Sequence, residues 1–376
     1  MQLEPPQGRT SRGRALLAYV LEPFLRGNSP ISNAHTHDWE SLQIAQTLLE
    51  RGFSVDVISY LNRTFNPADD YRIFIGARTN FERIAPRVPA ECIKIVHLDT
   101  AHWLFNNQAA YRRLLDLQKR RGVTLDNIKT VEANWAIEHA DMGTVLGNDF
   151  TIDTYRYAGK PLFRIPISTP ETYDWAADKD IEAARHRYLW FGSSGFVHKG
   201  LDLVLEAFAG MPDKRLVVCG PFDDEPRFLD AYRKELFETS NIEATGWVDV
   251  SGQKFRNIAQ SCIGLIYPSC SEGGGGSAIT CMHAGMVPLL SRETSVDVGD
   301  SGLILTSSDI GEIRARVRAL SEEPEERLAA RVQASIGIAR ESHTREIFAA
   351  AFARFVDDHL LQRPRNPSTS SLGESP

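Results

Sequence analysis

Two series of short apolar runs, each alternating with amphipathic stretches and separated by a proline- and charge-rich interval, constrain the fold of this chain more than any single motif. In the first series ALLAYVLEPF (residues 15–24) follows a polar leader, a helix is predicted from about Trp39 to Gly52, and FSVDVISY (53–60) completes a strand–loop–helix–strand unit. YRIFIGA (71–77), CIKIVHL (92–98), MGTVLG (142–147) and LFRIPI (162–167) continue it, with helical stretches between. Such runs are continuously apolar, as strands covered on both faces of a parallel sheet must be. The second series begins at YLWFGSSG (188–195) and passes through RLVVCGP (215–221), IEATGWV (242–248), CIGLIYPS (262–269) and VPLLS (287–291) to a helical end, Asp309 to about Leu361. The expected fold class is α/β, with Rossmann-like domains over residues 1–170 and 188–362, a linker over 171–187, and a tail over 363–376 too polar to pack and expected to be disordered. A length of 376 residues suits two cores of ordinary size, with a ligand cleft between them. No G-x-G-x-x-G follows the first strand, which disfavours a nicotinamide or flavin dinucleotide.

Composition narrows the class further. A net charge of −7 without a clustered basic stripe argues against a nucleic-acid partner. The five cysteines show no C-x-x-C pair and mostly lie in or beside apolar runs, so they read as reduced core residues of a cytoplasmic protein. No apolar run reaches the ~20 residues of a membrane span and no signal-peptide core is present, which leaves only peripheral membrane contact open.

The chemistry concentrates in SEGGGGSAITCMHAGMVPL (271–289), a glycine-rich loop between a buried strand and a short helix. Four consecutive glycines, Gly273, Gly274, Gly275 and Gly276, let backbone N–H groups approach an anion or a sugar, and the helix presents its positive N-terminus beside them. Glu272 is an acid between apolar elements, and sugar hydroxyls would supply the donors its carboxylate needs. With Pro268, Ser269, Gly285 and Pro288, this stretch resembles the nucleotide-sugar site of retaining glycosyltransferases of the GT-B fold, family 4 or group 1 type. That pattern carries a second glutamate, usually on the donor ribose, eight residues after the first; here Thr280 stands in its place.

FGSSGFVHKGLDLVLEAF (191–208) resembles the second signature of the same family. Lys199 matches the lysine on the donor diphosphate, and a lysine at a helix N-terminus calls for a compensating anion. The family's arginine six residues earlier is Ser193, leaving Ser193, Ser194 and Gly195 to offer neutral donors. The resemblance adds Ser277 and Thr280 to the donor-binding set, implies that the last helix crosses back onto the first domain, and extends to ERGFSVDVI in the first domain. It also implies a histidine facing the donor sugar, and His97 and His102 in IVHLDTAHW compete for that place, one of them a candidate helix cap. Together with Glu272 they form the expected catalytic set.

NAHTHDWE (33–40) is open to two readings. Its H-x-H has the ligand types of a metal-dependent hydrolase barrel, but two sheets with a linker do not make a barrel, so His35, His37 and Asp38 are assigned to the cleft, beside the acceptor or the donor phosphates, with no metal. In LGNDFTIDTYRYAG (146–159), Asp149 and Thr151 are expected to cap a helix. The expected function is transfer of a sugar from a nucleotide sugar, a co-substrate rather than a cofactor, to a hydroxyl of a glycan, a lipid-linked or a small acceptor. The alternative is a GT-B protein that has lost catalysis and binds only a glycan or a partner, for which Ser193 and Thr280 are the warrant.

Overall fold

The computed structural model describes residues 1–27, 31, 33 and 35–362; the tail 363–376 and five positions before His35 lie outside the described residues. The first sheet contains β1 (Gln2–Leu3), β2 (Gly13–Tyr19), β3 (Phe53–Ser59), β4 (Tyr71–Gly76), β5 (Ile93–Leu98), β6 (Met142–Leu146) and β7 (Leu162–Ile165) in the order β1-β3-β2-β4-β5-β6-β7. The second contains β8 (Arg187–Phe191), β9 (Arg215–Cys219), β10 (Ile242–Ala244), β11 (Gly264–Tyr267), β12 (Val287–Ser291) and β13 (Leu303–Leu305) in the order β10-β9-β8-β11-β12-β13. Every pairing is parallel except that of β1 with β3. In both sheets the first long strand lies between two later strands, β2 between β3 and β4 and β8 between β9 and β11, which opens a crevice at the carboxyl ends. The two crevices face each other.

Of the helices, α1 (His37–Glu50), α2 (Trp103–Arg121), α3 (Leu201–Ala209), α4 (Gly276–His283), α5 (Glu325–Ser342) and α6 (Arg345–His359) matter for the site. The chain passes between the sheets twice. Residues 171–187 form no slack linker: Tyr173, Ala176, Ile181 and Ala184 join the second core, and the buried Lys179 ammonium donates to the Ala259 and Cys262 carbonyls. After α5 the chain returns, and Phe348, Phe352, Phe355 and Val356 of α6 pack into the first core beside α1, with an Arg51–Asp357 ion pair at 2.6 Å on its rim. All five cysteines are free and buried.

Three local expectations fail for identifiable reasons. The first strand stops at Tyr19, because Pro23 suits the first turn of a short helix over Glu22–Leu25 and cannot donate to a sheet. The polar leader contributes β1 as an antiparallel edge. IEATGWV is a strand only to Ala244, and Trp247 stands 62% exposed in the cleft.

Phe352 of α6 is fully buried in the first core, so Phe352→Ala should cost about 3–5 kcal/mol, as a large aromatic cavity usually does. Urea unfolding measures it; a loss under about 1 kcal/mol would mean that α6 does not share the first core.

Candidate active site in the interdomain cleft

Between the sheets lies a cavity of about 950 Å³ whose walls come from both halves. On the second-domain side, the loop after β8 carries Lys199 and the loop after β11 carries Glu272. Gly200 has φ +73°, and a Cβ there would lie 2.6 Å from the Pro268 carbonyl oxygen, so only glycine lets the two loops pack this closely. Lys199 Nζ, Tyr267 Oη and Ser269 Oγ then converge on one oxygen of Glu272, each donating at 2.9 Å.

Burial alone would raise the Glu272 pKa, but Lys199 reverses the effect and holds it at about 2. Lys199 is buried too, and the charge of Glu272 overcomes its desolvation to push its pKa above the usual range. The neighbouring imidazole of His198 is pushed down by burial to about 4; neutral, it donates from Nε2 to the Ser271 carbonyl at 2.6 Å.

The glycine loop rests on the opposite domain. A Cβ on Gly273 would fall 2.2 Å from the Asp99 carbonyl oxygen, so this position must be glycine for the loop to meet the first domain at all. Gly273, Gly275, Gly276, Ser277 and Thr280 line the cavity, as do Ser193 and Ser194; Gly274 packs against Gly147 instead. Asn148, not Asp149 or Thr151, caps the helix over Asp149–Tyr155, accepting from Phe150 N–H at 3.0 Å. Thr151 bonds Ser295 at 2.7 Å across the domains.

On the first-domain wall, His35 and His37 line the cavity, while Asp38 pairs with Arg26 at 3.2 Å and is not among the lining residues. His37 Nδ1 meets Tyr19 Oη at 2.8 Å and Glu40 at 3.3 Å, and Glu40 accepts from the N–H and Oγ of Ser168, both at 2.9 Å. Burial works against a charged His37, but Glu40 prevails and raises its pKa. Neither candidate histidine from IVHLDTAHW lines the cavity. His97 is buried, with Nδ1 2.8 Å from Thr144 Oγ1 and a ring pushed down to about 4 by burial. His102 caps α2, accepting from Leu104 N–H, and its Nε2 meets Tyr157 Oη at 3.0 Å. The two open parallel sheets overturn the closed barrel that a metal-hydrolase reading of the H-x-H would require.

Several cleft residues were not singled out by sequence reading. Arg78, at φ +57°, holds Asp99 with contacts of 2.9 and 3.3 Å and lies over the Tyr60 ring. Its charge outweighs the burial of Asp99 and keeps that carboxylate ionised. Trp247 and Lys129 also face the cavity. A lone arginine after a strand or a lysine in an irregular segment carries no pattern; only Trp247, an aromatic just past a short strand, offered a signal.

The architecture is GT-B: two Rossmann-like domains with a cleft between them. Residues 185–323, the bulk of the second domain, match the family described as glycosyl transferases group 1. No curated protein matches the chain. Among solved structures, TarM aligns at TM-score 0.53 and 12% identity over 76% of this chain and 54% of its own, so this chain spans about half the length of TarM. HepE from Anabaena, in complex with UDP and glucose, aligns at 0.57 and 11% over 92% of this chain and 100% of its own. Sucrose-phosphate synthase from Thermosynechococcus elongatus aligns at 0.65 and 10% over 92% and 98%.

The Glu272 carboxyl, near 4.3 when unfolded and at about 2 when folded, contributes stability that is present above about pH 4.3 and lost as the pH falls toward 2. Lys199→Met removes the cation and reverses the sign, since the stranded carboxylate is then raised by burial. The variant should be about 3–5 kcal/mol less stable than wild type at pH 7, with the deficit shrinking as acid protonates Glu272. Urea unfolding at pH 7 and pH 4.5 checks this; an equal deficit at both would show that the lost charge pair is not its cause.

Proposed function

We propose that this protein is a hexosyltransferase that moves a sugar from a nucleotide-sugar donor to a hydroxyl acceptor with retention of anomeric configuration, in the manner of the family 4 enzymes it resembles. The observation that carries the reading is the buried Lys199–Glu272 pair set at the glycine loop in a cleft formed by both domains. Lys199 and the N–H groups at the start of α4 would stabilise the leaving diphosphate, while Glu272 would hold sugar hydroxyls. Trp247 offers a flat face for the base. HepE, of the same fold, was crystallised with UDP and glucose, which makes a uridine donor the first to try.

The chemistry asks for positioning more than for covalent groups. The acceptor oxygen bonds to the anomeric carbon as the bond from that carbon to the phosphate oxygen breaks, and the acceptor proton passes to the departing phosphate. Asp99 is already held through both oxygens by Arg78, so it is not a free nucleophile. This supports attack on the face that the leaving group vacates. Uncharged Ser193 and Thr280 in the cavity wall favour a second reading, a GT-B protein that binds a glycan without transfer.

A thermal-shift screen against nucleotides and nucleotide sugars separates the two. A donor at a hundred times its Kd should add about 2.7 kcal/mol, and Glu272→Ala should abolish the response to the sugar nucleotide. Stabilisation by a glycan and by no nucleotide at millimolar concentration would favour the binding protein. The anomeric proton of the product by NMR decides retention.

A further inference from the structure

We propose that Lys129, carried by the first domain, supplies the second cation of the donor diphosphate site, in place of the arginine that the group 1 pattern puts at Ser193; this rests on the transferase reading above. Lys199 and Glu272 neutralise one another, and Ser193 and Ser194 bring no charge. A diphosphate entering beside this wall would therefore meet no net positive charge from the second domain's own signature residues. Lys129 reaches the same cavity from across the cleft, with Nζ 3.3 Å from the Ser194 carbonyl oxygen. Its stem passes so close to Gly195 that a Cβ there would lie 2.8 Å from Lys129 Cδ.

The residue is built in, although its segment is irregular. Buried Asn106, in the first turn of α2, donates from Nδ2 to the Lys129 carbonyl at 3.1 Å. Asn107 takes both backbone groups of Val131, its Nδ2 donating to the carbonyl and its Oδ1 accepting from the N–H, each at 2.8 Å. The opposing turn is fixed as well, because Glu225 Oε1 accepts from the N–H groups of Gly195 and Phe196. Two pinned backbones thus bring Lys129 and Lys199 to the wall of one cavity.

Like charges are not held together without reason. The charge of Lys199, followed by burial, lowers the pKa of Lys129, while Glu272 and Glu225 raise it too little to restore the usual value. A neutral carbonyl does not relieve that repulsion; an anion between the ammonium groups does. A diphosphate offers one phosphoryl group to each lysine, to Lys199 from the donor loop and to Lys129 from the opposite domain.

The test is calorimetric titration of the full-length protein with UDP, ADP and GDP and with the matching monophosphates, in wild type, Lys129→Ala and Lys129→Arg. For the diphosphate that binds, Lys129→Ala should weaken affinity about ten- to a hundredfold, the range of a hydrogen bond to a charged group. The matching monophosphate should lose less than about threefold, and Lys129→Arg should recover most of the loss. The melting temperature of the unliganded Lys129→Ala variant should match wild type. Equal losses for mono- and diphosphate, a lowered melting temperature with no such discrimination, or no loss at all would overturn the proposal and leave the transferase reading standing. Absence of binding by all three diphosphates to wild type would overturn both.

Discussion

The ion pair between Lys199 and Glu272 is the contact on which the cleft depends. Both side chains are withdrawn from water, and each would be costly there alone; together, with Tyr267 and Ser269 donating to the same carboxylate oxygen, they are stable as charges. The pair ties the loop after β8 to the loop after β11, two carboxyl ends that sit side by side in the sheet. Its existence explains why the positions around it tolerate so little, since Gly200 must lie against Pro268 for the lysine to reach the glutamate at all. The pair gives the loops their shape before any ligand arrives.

That shape is completed only by the first domain. Gly273 abuts the Asp99 backbone, Thr151 bonds Ser295, and Arg113 donates to the Pro268 carbonyl at 2.6 Å, so the glycine loop and the residues on either side of it are held from across the cleft. Any opening of the cleft must release these contacts and turn about the two places where the chain crosses, the packed segment before β8 and the short step between α5 and α6. His343 marks the second crossing: its Nδ1 donates to the Ile167 carbonyl at 3.2 Å and its own carbonyl accepts from His283 at 2.9 Å. The second crossing is thus bonded to both halves and is no loose tether.

Much of this was legible in the sequence because parallel strands buried on both faces leave continuous apolar runs, and because a glycine loop followed by a helix is a local event. Eleven of the thirteen strands overlap an expected apolar run, although β2, β8 and β10 end several residues early, and β1 and β13 were not expected. What was not legible is what needs contacts between distant segments. Lys199 and Glu272 were each singled out, yet nothing in their spacing announced that they bond to each other. His97 and His102 had the right residue type at the right strand, but a histidine's role follows from where its ring points: one is inside the sheet layer and the other caps a helix. Arg78 and Lys129 were invisible for the opposite reason, being ordinary surface residue types brought to the cleft by an unusual backbone angle and by two asparagines.

The two substitutions that set this chain apart from the group 1 pattern have a simple electrostatic sum. The pattern places a lysine and an arginine against two glutamates, a neutral set. Here Ser193 removes one cation and Thr280 one anion, so Lys199 and Glu272 by themselves are again neutral, but in the family pattern the missing cation belongs to the phosphate side and the missing anion to the ribose side. Lys129 adds a positive charge from the other domain, and the combined set becomes net positive. On the transferase proposal, a leaving group carrying two or three negative charges would gain from that excess, most of all as the glycosidic bond breaks and charge builds on the departing oxygen. Because the added cation belongs to the first domain, under that proposal its help would be available only while the two domains are together.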